Sequence, residues 1–213
     1  MIEKRNLSEQ VYFYLRKKII SNELTPGSRV NYDDIISELG ISKTPVRDAL
    51  YLLQQDGLVE IKERSGTFVN TPKVQDVKEV YDIRNALERQ AVNLAMENMT
   101  KADIEKMLNK AIKVEETLND SSVETFVESD REFHRTLILW SKNQRLIKLM
   151  ESLDAQLQWI SVITATSSER PKETNAMHKR IIAAMLHSNK KIAQDLMEEH
   201  IEEAKQITLK EFI

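Results

Sequence analysis

The sequence contains no cysteine, which removes disulfides and thiolate metal sites together. Glycine and proline are scarce, with 4 of each in 213 residues, so a sheet-rich fold with many tight turns is disfavoured and helices are favoured. No apolar run approaches the ~18 residues that a membrane span needs. The opening MIEKRNLSEQ is charged, with no apolar stretch behind it, so no signal peptide is expected and a cytoplasmic location is. Neither sign of charge dominates: 31 Lys and Arg face 34 Asp and Glu, a formal net charge of −3. That balance does not advertise nucleic acid, and any DNA-binding surface has to gather its basic residues on one face.

The few glycines and prolines are unevenly placed. All four glycines and three of the four prolines fall in the first 72 residues, at Pro26, Gly27, Gly40, Pro45, Gly57, Gly66 and Pro72, leaving only Pro171 beyond. The shift sets a boundary between domains 1–71 and 72–213, with Asn70 to Lys73 as linker. The first domain carries 10 Lys and Arg against 10 Asp and Glu, and the second carries the whole net negative charge. The pattern predicts a mainly α chain: an N-terminal winged helix-turn-helix and a C-terminal antiparallel all-α bundle.

In the first domain, apolar spacing predicts helices over 7–21, 32–39 and 44–56, the last capped by Ser42. Strand-like segments at 58–62 and 67–69 join through Glu63 to Gly66 as a hairpin. A short helix, a glycine turn and a helix beginning Ser-Lys-Thr-Pro-Val-Arg is a helix-turn-helix arrangement. The second of its helices enters the major groove with its N-terminal residues at the base edges. Those residues, Ser42, Lys43, Thr44 and Arg47, offer hydroxyls, a phosphate-pairing ammonium and a guanidinium that can grip guanine. Arg64 and Gly66, at the hairpin tip, are placed to reach the minor groove or phosphates. A capped three-helix module without DNA is the plainer reading of the same pattern.

The stretch from Leu24 to Val69 resembles the N-terminal domain of the GntR family of bacterial regulators. The likeness is concentrated between Gly40 and Val59, in Ser-Lys-Thr-Pro-Val-Arg-Asp-Ala-Leu and the Gly-Leu-Val that follows. The resemblance implies that Ser42, Lys43, Thr44, Arg47 and the wing glycine Gly66 contact operator DNA. Lys43 stands where the family often has Arg, which keeps a charge but loses the bidentate fork. Asp33 stands where several relatives have a DNA-contacting Arg, and a carboxylate there repels phosphate.

The second domain reads as six helices, near 73–98, 100–118, 122–140, 143–164, 168–187 and 190–212. Thr100, Ser122 and Ser168 sit at N-cap positions, with breaks at Asn119-Asp120 and Asn189. All four histidines lie here. Asp130 and His134 are one turn apart on a helix face that also carries Val127, Leu137 and Ile138, so that face points inward. His178 and His200 each adjoin apolar stripes on two further helices. Three histidines and one aspartate suit a mixed nitrogen and oxygen site for a divalent metal, although each histidine alone reads more readily as a satisfied core or boundary residue. His187, at a helix end, is excluded, because a cation there favours the helix dipole.

Residues 73–213 resemble the ligand domain of the FadR-type GntR subfamily, in its six-helix metal-binding form. The matching residues are Arg84 and Glu88, then Asp130, Phe133 and His134, then Asn175, His178 and His200. The resemblance implies a divalent metal, zinc first with nickel or manganese as alternatives, on Asp130, His134, His178 and His200. It also implies a small organic acid as effector in the same cavity, served by Arg84 and Asn175. The expected protein is thus a ligand-controlled regulator of double-stranded operator DNA, a repressor by family habit, and not an enzyme. A sensor in which the metal itself is the signal and a purely structural metal use the same residues. A metal-dependent hydrolase lacks a general base, since Glu132 projects about 160° from His134 around an ideal helix. Paired half-sites imply a homodimer; the first helix of the second domain, with Val77, Val80 and Leu87, is the candidate interface.

Overall fold

The computed structural model describes residues 7–117, 123–164 and 170–211. The cap positions Ser122 and Ser168 and the break at Asn119-Asp120 lie outside them. Two compact units divide the chain, Met1–Pro72 and Lys73–Ile213.

The first unit contains α1 (Leu7–Ile20), β1 (Arg29–Val30), α2 (Tyr32–Leu39), α3 (Lys43–Gln55), β2 (Val59–Lys62) and β3 (Gly66–Val69). Val11, Leu15 and Ile19 of α1 are buried with Val46, Ala49, Leu50 and Leu53 of α3, the helical spacing that folds one stripe of each inward. Gly40 ends α2 in the left-handed conformation, φ 64°, which a residue without a Cβ adopts freely. Asn31 caps α2 through its side chain, accepting from the Asp33 amide. Asp33 and Asp34 occupy the first turn, where a carboxylate complements the helix dipole.

Three details depart from expectation. Helix α3 starts at Lys43, and Ser42 holds the cap position without making a side-chain cap bond. A third strand is present: β1 pairs antiparallel with β3, giving the order β1-β3-β2. Two residues are too few for a sequence period to reveal. Finally, Gly66 is not at the hairpin tip but opens β3 opposite Lys62.

The second unit holds α4 (Val74–Asn98), α5 (Lys101–Thr117), α6 (Val123–Trp140), α7 (Gln144–Thr164), α8 (Arg170–Leu186) and α9 (Lys190–Lys210). The hydroxyl of Thr100 accepts from the Asp103 amide and donates to its carboxylate, while Asn189 caps α9 by accepting from the Ile192 amide. Helix α4 packs against α6, α7 and α9, and α8 against α5, α6 and α9. The core between them includes Tyr81, Leu137, Ile181, Ile182, Met185, Met197 and Ile201. Val77 and Val80 are buried within the chain's own core, and Leu87, partly buried, packs against the cluster that contains Ala91 and Ile138. Val77 and Val80 are therefore covered by the chain's own helices and do not offer the dimer surface expected of them, whereas Leu87 is only partly buried. Among the described residues, no helix is long and apolar enough to cross a membrane.

Candidate metal centre and DNA-reading face

Helix periodicity puts Asp130 and His134 one turn apart on α6, and packing of α6 and α9 against α8 brings them to His178 and His200. One ligand atom from each of the four lies within 4.8 Å of all the others. His200 Nε2 is 3.1 Å from His134 Nε2 and 3.2 Å from His178 Nε2. Asp130 Oδ1 stands 3.6 Å from His134 Nε2 and 3.4 Å from His178 Nε2. These edges are close to those expected of ligands about 2.0–2.2 Å from one ion. The three histidines are buried and Asp130 is 21% exposed.

Burial pulls the His178 and His200 rings below their ordinary pKa, so both favour the neutral form that can donate a lone pair. Burial would raise Asp130, but the adjoining His134 and His178 outweigh it and hold the carboxyl well below its usual range. A set of two neutral imidazoles, a third imidazole and a carboxylate, converging out of water, fits a divalent cation by its donor chemistry.

Glu88 on α4 supports this group from behind. Its Oε2 is hydrogen-bonded to His134 Nδ1, and its Oε1 accepts from Arg84 Nε at 2.6 Å. Burial alone would push the Glu88 carboxyl up, but the charges of His134 and Arg84 hold it at about 2. His134 shifts the opposite way: burial would lower it, but the charge of Glu88 outweighs that and raises it. A carboxylate on the far nitrogen of a ligating imidazole fixes the ring's orientation and raises its basicity. The four-residue spacing of Arg84 and Glu88 is visible in the sequence, but nothing in one sequence says that Glu88 meets His134.

A cleft of about 500 Å³, counted out to its open mouth, lies between α5, α6 and α8. Asp130 and His178 reach it from the metal-type cluster, and Asn175 and Phe133 line it beside them. Asn175 Nδ2 donates to the Ala111 carbonyl at 3.0 Å, which ties α8 to α5. The Phe133 ring stacks on His178 with centroids 3.8 Å apart. Arg84 is not among the residues lining this cleft; its Nε is directed at Glu88.

In the first unit, Ser42, Lys43, Thr44 and Arg47 are all exposed on one side of α3, while Pro45 and Val46 between them are buried. Lys43 Nζ lies 5.7 Å from the centre of the Tyr32 ring, and Arg47 has Asp48 at 3.6 Å. Arg64 sits in the hairpin turn with φ 60°. Gly66 has φ 116°, and a Cβ on it would come within 3.0 Å of Arg29 Nε. Its lack of a side chain is thus required by the fold itself. His187 is exposed at the end of α8, away from the cluster.

Comparison with known proteins bears on both units. Residues 7–69 match the gntR family of bacterial regulatory proteins, and residues 79–203 match the FCD domain. The regulator YdhC of Bacillus subtilis is 27% identical over 186 residues, covering 87% of this chain and 83% of that protein. The HTH-type transcriptional repressor RspR of Escherichia coli K12 is 22% identical, over 92% of this chain and 86% of its own. The solved structure of E. coli McbR/YncC shares the fold, with a TM-score of 0.82 and 22% identity over 98% of this chain and 100% of that one. The chain belongs to the GntR family of bacterial regulatory proteins and carries an FCD domain, which makes it a DNA-binding transcriptional regulator.

Proposed function

We propose that this regulator is a homodimeric repressor whose grip on operator DNA is set by a small organic acid bound beside a divalent metal, zinc foremost. The observation that carries the reading is the convergence of Asp130, His134, His178 and His200, four ligand atoms from three helices within 4.8 Å. These residues would hold the ion, and the ion would supply a Lewis-acidic position for a carboxylate. Glu88, with Arg84 behind it, orients His134. Asn175 and His178 present polar groups to the cleft through which an acid reaches the cluster. The likeness to a named repressor supports the sign of regulation.

On the DNA side, Ser42, Lys43, Thr44 and Arg47 form the reading edge of α3, and Arg64 and Gly66 belong to the wing. A change at the cluster acts on DNA by altering the placement of two reading units in a dimer.

The test has two parts. Metal content is measured on full-length protein and on the His178→Ala and His200→Ala variants. Retardation of its own operon's promoter DNA is then followed with zinc alone and with zinc plus organic acids. The reading expects about one ion per chain, lost in both variants, and DNA affinity that changes only when an acid joins the metal. An affinity that tracks zinc alone would replace the acid with the metal as signal. Wild-type protein that takes up no zinc, nickel or manganese would end the reading.

A further inference from the structure

The cleft has a charged gate that the metal-type cluster does not explain. Helix α5 packs on α8, and the cleft occupies the seam between α5 and α6. Its deep end is formed by Asp130 and the buried His178; its walls are Met107, Ala111 and Phe126. Lys110 and Glu132 also line it, and their side chains are 63% and 56% exposed, which places them at the mouth. They form an ion pair across the seam, from Nζ on α5 to Oε1 on α6. Among the described residues lining the cleft, Lys110 is the one cation, beside the carboxylates of Asp130 and Glu132.

We infer that Lys110 is the second anion site of this cleft, and that the effector is a small acid with two anionic groups, one at the Asp130 and His178 end and one at Lys110. The inference rests on the reading above, which supplies the cation for the first group. The geometry favours a second anion for two reasons. An anion entering a cleft lined by Asp130 and Glu132 meets like charge, and Lys110 is the lining side chain placed to offset that repulsion for the end of the ligand that stays at the mouth. Lys110 also holds a partner that is easily exchanged: an ion pair between two solvent-exposed side chains is weak, and Glu132 can turn to water when the ligand's carboxylate takes its place. Exchange severs the Lys110–Glu132 link, so occupancy of the cleft is felt at once by α6, the helix that carries Asp130 and His134.

Succinate and butyrate, four-carbon acids differing by one carboxylate, serve as probes on zinc-loaded full-length protein by titration calorimetry. Succinate is expected to bind more tightly than butyrate. Lys110→Gln should weaken succinate roughly fivefold, and leave butyrate affinity and zinc content unchanged. Glu132→Gln, which removes the competing carboxylate, should strengthen succinate by a similar factor. Both residues are exposed, and circular dichroism checks that the variants fold. If succinate and butyrate bind wild type equally, or if Lys110→Gln leaves succinate untouched, the second anion site is refuted while the metal reading stands. If neither acid binds zinc-loaded wild type, the inference falls with the acid-effector reading. If wild type takes up no metal, both fall at the earlier step.

Discussion

Replacing Glu88 with Gln tests the support behind the cluster most directly. The side chain is 1% exposed and sits between Arg84, 7% exposed, and His134. Glutamine keeps the shape and can still accept one hydrogen bond, but it leaves the buried guanidinium without a counter-charge. Breaking a buried pair by removing one partner costs about 3–5 kcal/mol, and the retained hydrogen bond returns about 1 kcal/mol, so a loss of about 2–4 kcal/mol is expected. The depressed pKa points to a similar size: a shift from 4.5 to about 2 corresponds to roughly 3 kcal/mol at about 1.4 kcal/mol per unit. Because the folded-state pKa is depressed, this stability is present above the unfolded value near 4.5. It disappears as pH falls through about 2. For a domain of this size the loss at neutral pH is worth roughly 5–15 °C in melting temperature. The assay is calorimetric melting of chelator-treated full-length protein at pH 7 and in steps down to pH 3. The wild type should lose stability in the C-terminal transition below pH 4.5, and Glu88→Gln should melt lower at pH 7 with a shallower acid slope. A variant that melts within 2 °C of wild type at pH 7 would refute the argument, roughly the shift that ~1 kcal/mol produces.

Three further substitutions probe other parts of the chain. Gly66→Ala forces an L side chain to φ 116° beside the Arg29 guanidinium; a cost of about 1–3 kcal/mol should lower the N-terminal transition in calorimetry by at least 4 °C, and an unshifted melt would show that the hairpin relaxes freely. Tyr81→Phe strips the Thr208 hydroxyl of its buried partner at 3.0 Å, costing about 1–2 kcal/mol in chemical denaturation, whereas the Tyr81→Phe, Thr208→Val double variant should recover most of that loss. Lys43→Ala should reduce the salt dependence of promoter binding by about one counterion without changing its sequence preference; an unchanged slope in a filter-binding series would remove Lys43 from the phosphate contacts.

Periodicity and punctuation carried far in this sequence because most of the fold is local. The Gly40 turn, the Thr100 cap and the break at Asn189 depend on neighbours within four residues. What could not be read depends on partners far along the chain. Strand β1 is two residues long and exists only because β3 passes beside it. Val77 and Val80 show an apolar stripe on α4, but whether a stripe meets a second copy or the chain's own helices is a tertiary fact. Arg84 shows the same limit: a basic residue in a ligand domain suggests an acid, and the sequence does not say that its Nε is bonded to Glu88, four residues on and also buried. The set of four metal-type residues follows from a family resemblance; helix spacing by itself brings together only Asp130 and His134.

Helix α6 explains why one short segment can link these features. Successive residues point around a helix at about 100° intervals, so five positions address most of the surrounding bundle. Asp130 faces His178 on α8. Arg131 makes two bonds to Asp154 on α7, at 2.8 and 2.7 Å, and Glu132 reaches Lys110 on α5. Phe133 stacks on His178, and His134 meets Glu88 on α4 and His200 on α9. A well-packed interior transmits displacement because it has little free volume to absorb it. A ligand that moves α6 at either the cluster or the Lys110 seam therefore cannot leave the other contacts of this segment unchanged. Arg131→Ala, which removes the ionic tie between α6 and α7 without removing a residue of the cluster or the cleft, should then alter the effect of succinate on promoter binding more than the affinity for zinc. Equal losses in both would mean that the Arg131–Asp154 link serves only to hold the bundle together.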